Sequence, residues 1–230
     1  MRGFYLNIFF SLLLISGQGY AHTPEEEFLA PEEKVLARSQ VMHYEEIGLF
    51  DSMEGETKNQ FMTRVAQGLL DFTLKTGYEG CGMVQYKYGG GWRVRLTTTR
   101  SQVACLRVAF QEDNFTAMPE FIHSHPATTK INLSPLDAGL IRRQPYENIT
   151  VLPSEYSPND IKNGGGWLVV PKFRFGTNAR LLYRGESYTQ VIAKNLKPLA
   201  MHPSDTKGQD AYVLKGTGET SSLQVVHFVN

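Results

Sequence analysis

Phe121-Ile122-His123-Ser124-His125-Pro126 is the stretch on which the reading of this chain turns. In a β-strand successive side chains alternate between faces, so His123 and His125 project to the same side, where two imidazoles can grip one metal ion. Pro126 has no backbone N–H and ends the strand pairing. Such a pair also occurs as two ordinary surface histidines, so the rest of the chain must supply the missing parts of a site.

Outward from this strand, the chain reads as one α/β domain: a mostly antiparallel, curved sheet flanked by helices. Residues 56–75 form the clearest helix. Phe61, Val65, Leu69 and Phe72 fall on one apolar stripe, and Gly77 follows as a stop. Residues 83–88 and 92–98 flank Gly89-Gly90-Gly91 as a hairpin. Residues 103–110 and 119–125 read as further strands of the same sheet. Residues 127–163 are irregular with two brief helix starts. Residues 167–170 and 179–183 make a second hairpin, and 223–229 a last strand. A short helix is expected within 35–53 and another over 188–195. Neither a repeat nor a low-complexity segment interrupts the pattern.

The N-terminus points to export. Arg2 is a small positive region, residues 4–15 are apolar apart from Asn7 and Ser11, and Gly19 and Ala21 flank Tyr20 as small residues of a cleavage site. The apolar run is short of the ~20 residues that span a bilayer. The expected organisation is a signal peptide at 1–21, an N-terminal leader at 22–55, a catalytic domain at 56–185 and a C-terminal extension at 186–230 that completes the domain. In an oxidising periplasmic or secreted location Cys81 and Cys105 are expected to bond, closing a loop worth roughly 3 kcal/mol. With 41% hydrophobic and 20% charged residues the chain is globular, not disordered. Lys and Arg together number 23, as do Asp and Glu, so no basic stripe supports nucleic-acid binding.

Zinc hydrolysis needs three protein ligands, an open position for water, a base, and a group that stabilises the oxyanion. Two Ser-Pro-x-Asp segments offer a third ligand: Ser134-Pro135-Leu136-Asp137 and Ser157-Pro158-Asn159-Asp160. Each also reads simply as a helix start, with serine at the N-cap, proline at N1 and the acid facing the helix dipole. Glu79-Gly80-Cys81-Gly82 places a glutamate at the entrance of the first sheet strand, which is equally the reading of a solvated turn. His22, His43, His202 and His227 have no ligand-like company.

Taken in order, Glu79-x-Cys81-Gly82, His123-Ser124-His125-Pro126 and a Ser-x-x-Asp resemble the JAMM (MPN-type) zinc metallopeptidases, across about residues 56–185. The resemblance implies a JAMM-like, cytidine-deaminase-like architecture. It implies Zn²⁺ held by His123, His125 and an aspartate, with Glu79 as the base that carries a proton from the attacking water to the leaving amine. A serine then steadies the oxyanion. Spacing favours Ser134 and Asp137, which follow the second histidine after eight residues, 126–133, close to the family's usual gap. Context favours Ser157 and Asp160, which lie 31 residues on, after 126–156. There Tyr156 precedes the serine, and a glycine turn leads into Trp167-Leu168-Val169-Val170, as in bacterial relatives with an insertion. Asp160 with Ser157 is preferred and Asp137 with Ser134 stays open.

The function so implied is an exported zinc hydrolase that cuts a peptide or isopeptide amide in a peptide or protein substrate. The alternative is a non-catalytic binding or scaffold module on the same fold, and a third reading is a small secreted structural protein in which the motif is accidental.

Overall fold

The computed structural model describes residues 39–108, 110, 112–162, 164–172, 178–185, 187–201, 209–214 and 224–226. The expected signal peptide, the first part of the leader, His22, His202 and His227 lie outside the described residues, as do the ends of the strand expected over 223–229.

Twelve strands and three helices are described. They are β1 Ser39–Asp51, α1 Lys58–Thr76, β2 Cys81–Lys87, β3 Trp92–Thr98, β4 Arg107–Val108, β5 Phe115–Ser124 and β6 Lys130–Asn132. After these come α2 Pro135–Ile141, β7 Asn148–Thr150, α3 Pro158–Lys162, β8 Gly166–Val170, β9 Arg180–Arg184, β10 Thr189–Lys194, β11 Gln209–Leu214 and β12 Gln224–Val226. The main sheet runs β10-β9-β8-β5-β2-β3-β1-β11-β12-β4, and β6 pairs only with β7. Neighbours are antiparallel except β5 with β8 and β12 with β4, so the fold is α/β with a mixed, mostly antiparallel sheet. The sheet curls: β4, last in the strand order, comes back against β2, where Cys105 is disulfide-bonded to Cys81.

Helix α1 forms where its apolar stripe demands. Thr57 caps it reciprocally with Gln60, and the N–H of Gly77 returns to the Thr73 carbonyl. Phe61, Met62, Val65, Leu69 and Leu70 are buried against Val84, Val94, Leu96, Ile122, Trp167, Val169 and Leu181 of the sheet. Each such side chain contributes roughly 1.5–3 kcal/mol. Strand β8 is buried along its whole length, with Trp167 and Val169 in this core. Leu168, Val170 and Leu182 pack with Tyr156 in a separate cluster.

Two sequence expectations are overturned, and for the same reason. The helix expected within 35–53 is strand β1, and the helix expected over 188–195 is strand β10. Each strand carries a β-bulge, between Glu46 and Gly48 in β1 and between Val191 and Ala193 in β10. The extra residue breaks the period-2 alternation by which a strand is recognised. The expected strand over 103–110 is reduced to the two residues of β4. Helix 56–75, both hairpins and the strand with the histidines lie where the pattern places them.

Two glycines let strands approach closely beside β5. A Cβ at Gly82 would stand 2.6 Å from the Arg95 carbonyl oxygen on β3. Gly166 has φ +102°, and a Cβ there would stand 2.6 Å from the Phe121 carbonyl oxygen. Gly82→Ala is expected to lower stability by about 1–3 kcal/mol, because the obstacle is backbone and cannot rotate away. Urea unfolding reads this as a lower midpoint at unchanged slope; an unchanged midpoint would show that β2 and β3 separate at little cost.

Candidate metal centre

Strand β5 lies between β2 and β8 and is hydrogen-bonded to both. Cys81 pairs with His123 on one side and Leu168 with His123 on the other. Alternation then divides its residues. Ile122 enters the core under α1, and Ser124 Oγ lies 2.6 Å from Thr73 Oγ1 of the same helix. Ser124 Oγ also accepts from Gly80 N–H at 3.1 Å, and Ser124 N–H donates to the Gly80 carbonyl at 3.0 Å. The odd-numbered residues Phe121, His123 and His125 face the other way. Ser124 was not singled out in the sequence, yet it locks the strand at the point where the two imidazoles leave it.

On that other face Nε2 of His123 and Nε2 of His125 are 3.2 Å apart. Asp160, from α3, places Oδ1 3.3 Å from the first and Oδ2 3.5 Å from the second. These three residues form a group that could hold a metal ion, with both histidines buried and Asp160 half-buried. Taking one ligand atom from each, the three lie within 4.8 Å of one another, close enough to share one metal ion. His125 is oriented from behind: its Nδ1 is 3.3 Å from the Pro153 carbonyl oxygen, which commits Nε2 to the centre. His123 Nδ1 is buried without a hydrogen-bond partner among the described residues. Its ring is held by packing instead, stacked on Phe121 at 5.1 Å and edge-on to Tyr156 at 6.4 Å between centroids.

The electrostatics of the centre follow from burial and proximity. Burial holds His123 below its ordinary pKa. Burial also opposes protonation of His125, but its hydrogen bond to Asp160 and the nearby charges of Glu79 and Asp160 prevail and raise it. Burial works against the charged form of Asp160, yet the two imidazoles hold it well below the usual carboxylate range. Asp160 is thus coupled to both imidazoles.

The two Ser-Pro-x-Asp segments do different things. Ser157 N–H donates to Asp160 Oδ2 at 2.8 Å and Asp160 N–H to Ser157 Oγ at 3.2 Å, a reciprocal cap that aims the carboxylate at the histidines. Ser134 and Asp137 make the same cap on α2, but Asp137 Oδ1 also accepts from Ser101 Oγ at 2.6 Å and Gln102 N–H at 3.0 Å. Asp137 is 3% exposed and its carboxylate fastens α2 to the 101–102 turn, apart from the imidazoles.

Glu79 is 7% exposed, with its backbone held at both ends: its N–H donates to the Ser101 carbonyl at 2.8 Å, and its carbonyl accepts from Thr98 Oγ1 at 2.7 Å. Burial raises its pKa to about 8; the charges of Asp160 and Asp137 add to the rise and His125 opposes it. Sequence reasoning also missed Arg107, whose guanidinium carbon lies 3.3 Å from the centroid of the Phe121 ring. Its only signal was a position two residues after Cys105.

Comparison with protein-family models, with curated proteins and with solved structures gives no match. The reading of the centre therefore stands on its geometry.

Asp160→Asn is expected to lower metal content to near zero, while Asp137→Asn keeps the metal and loses about 1–3 kcal/mol of stability from its buried hydrogen bonds. Elemental analysis of dialysed protein beside urea unfolding separates the two. The reverse ranking would move the third ligand to α2.

Proposed function

We propose that this protein is an exported zinc-dependent hydrolase of the JAMM type that cleaves a peptide or isopeptide amide. The observation that carries the reading is the spacing of the His123, His125 and Asp160 ligand atoms, 3.2 to 3.5 Å apart, with the buried carboxyl of Glu79 on the His125 side. The order Glu79, His123, His125, Asp160 along the chain is that of the family the motifs resemble. The Cys81–Cys105 disulfide suits an oxidising compartment, and among the described residues no helix is long and apolar enough to cross a membrane.

Zinc, when bound by the two imidazoles and the carboxylate, polarises the amide carbonyl and brings the pKa of water toward about 7. The chain's own residues do the rest. Glu79 in its ionised form, which the charge of a bound cation would favour against the burial that raises its pKa, takes a proton from the attacking water as the oxygen–carbon bond forms. It then gives that proton to the amine nitrogen as the carbon–nitrogen bond breaks. Ser157 Oγ accepts from Asp160 N–H, so its own hydrogen is directed away from the cap and serves the developing oxyanion. Tyr156 OH donates to the Gly166 carbonyl at 2.8 Å, which fixes its ring beside His123 and keeps water from that flank.

Glu79→Gln is expected to keep the fold and one zinc per chain and to lose at least ~100-fold in amide hydrolysis. Zinc content, circular dichroism and turnover of a peptide panel check this. Undiminished turnover in a fully loaded variant would remove Glu79 from its role. A fully loaded wild type inactive on the panel would favour a binding module on the same fold.

A further inference from the structure

The Cys81–Cys105 bond stands beside the metal centre and joins two segments that both reach it. Cys81 is the residue of β2 directly opposite His123 in the antiparallel ladder, so the two side chains share one face, with Cβ atoms about 4.5–5.5 Å apart. Just before it, Gly80 exchanges hydrogen bonds with Ser124, and Glu79 precedes Gly80. On the other side of the bond, Arg107 of β4 lies over the ring of Phe121, which in turn stacks on His123. The turn leading to Cys105 is joined to the same surroundings. The Ser101 carbonyl accepts from Glu79 N–H, and Ser101 Oγ donates to Asp137.

Cys81 is fully buried, whereas Cys105 is half-buried, so attack by a reductant falls on the Cys105 sulfur. A thiolate of a dithiol reductant bonds to that sulfur, and Cys81 leaves as a thiolate that takes a proton. The second thiol of the reductant then displaces Cys105. Two electrons and two protons have passed to the protein, and the reductant has closed its own disulfide. The freed sulfurs go from bonded to van der Waals contact. In a close-packed interior the extra room is taken from the neighbours, and His123 is the neighbour directly opposite Cys81. His123 Nδ1 has no hydrogen-bond partner among the described residues, so behind the centre its ring is held by packing and yields to such a change. His125, anchored on the Pro153 carbonyl, does not.

We infer that this disulfide is a redox switch on the metal centre: bonded, it keeps His123 in place against His125 and Asp160, and its reduction lowers zinc affinity about tenfold or more with the fold retained. The chain then loads zinc in an oxidising compartment and stays poorly loaded where thiols are kept reduced, which confines hydrolysis to the place of export. The inference rests on the zinc-hydrolase reading and adds its regulation. The coupling is reciprocal. If reduction weakens zinc tenfold, saturating zinc makes the bond harder to reduce by the same factor, about 30 mV for a two-electron couple.

The test compares the zinc affinity of the full chain, bonded and reduced with a phosphine, by competition with a chromophoric chelator, while circular dichroism follows the fold. The bonded chain is expected to hold zinc about tenfold or more tightly. In glutathione buffers the midpoint of the bond is expected to fall by about 30 mV or more when zinc is saturating. The double variant Cys81→Ser, Cys105→Ser has no thiol and is expected to match the reduced chain. If it does not fold, the two states of the wild type and the zinc-dependent midpoint decide alone. Equal affinity in the two states overturns the inference. So does tighter binding by the reduced chain, which would show a freed thiolate acting as a ligand. Loss of the whole fold on reduction overturns it as well, since the bond would then be a general staple. Zinc held by neither state overturns the metal reading itself, and the switch with it.

Discussion

Residues 121–125 are held on three sides at once. Ladders to β2 and β8 fix the strand laterally, and Ile122 and Ser124 fasten it to α1 from below. Only the odd-numbered side chains remain to face outward, and they are Phe121, His123 and His125. A centre whose ligand atoms must agree to within a few tenths of an ångström needs such footing, because a histidine on a mobile loop spends binding energy on being ordered. The serine between the histidines is as much a part of that footing as the imidazoles are of the centre. It faces the helix, and it ties the strand to the stretch that carries Glu79.

The same local sequence can be turned to different ends by what surrounds it. Asp137 and Asp160 both sit three residues after a serine cap, and each is bonded back to that serine. Asp137 meets the hydroxyl of Ser101 and the N–H of Gln102, and its charge is used up in holding a turn. Asp160 meets two imidazoles. The Ser-Pro-x-Asp pattern itself does not distinguish these outcomes, which is why the two segments remain alternatives when read as sequence. The distinction comes from the crossover between β5 and β8, which delivers α3 onto the histidine face and leaves α2 packed around Ile131 and Leu133.

What was legible in the sequence was whatever obeys a period. The stripe Phe61, Val65, Leu69 shows α1, the glycine run at 89–91 shows the β2–β3 hairpin, and His-x-His shows a shared face. Strands β1 and β10 were hidden because a bulge shifts their alternation partway along. The contact of Arg107 with Phe121 was hidden because the two are fourteen positions apart and the disulfide that brings β4 beside β2 is a pairing at a distance. Pairings of that kind have no local signature. The cation–π contact has counterparts on the neighbouring strands, where Arg93 lies over Phe115 and Arg95 over Phe110. Arginine on phenylalanine is thus a recurrent way in which this sheet accommodates charge.

The parallel pairing of β5 with β8 joins Ile122 to Trp167 and is the one parallel contact within the run from β10 to β1. It cannot form until a loop of about 45 residues has closed, and contacts at such sequence separation come slowly and after local ones. The two histidines belong to a strand whose antiparallel partner is nearer in sequence; the aspartate arrives only with the crossover. A partly folded chain therefore presents two imidazoles and no carboxylate, a grip too weak to hold an ion against competing ligands. Tight capture of an ion by this group would then have to wait for the crossover, so that the topology itself would set the order of folding and loading.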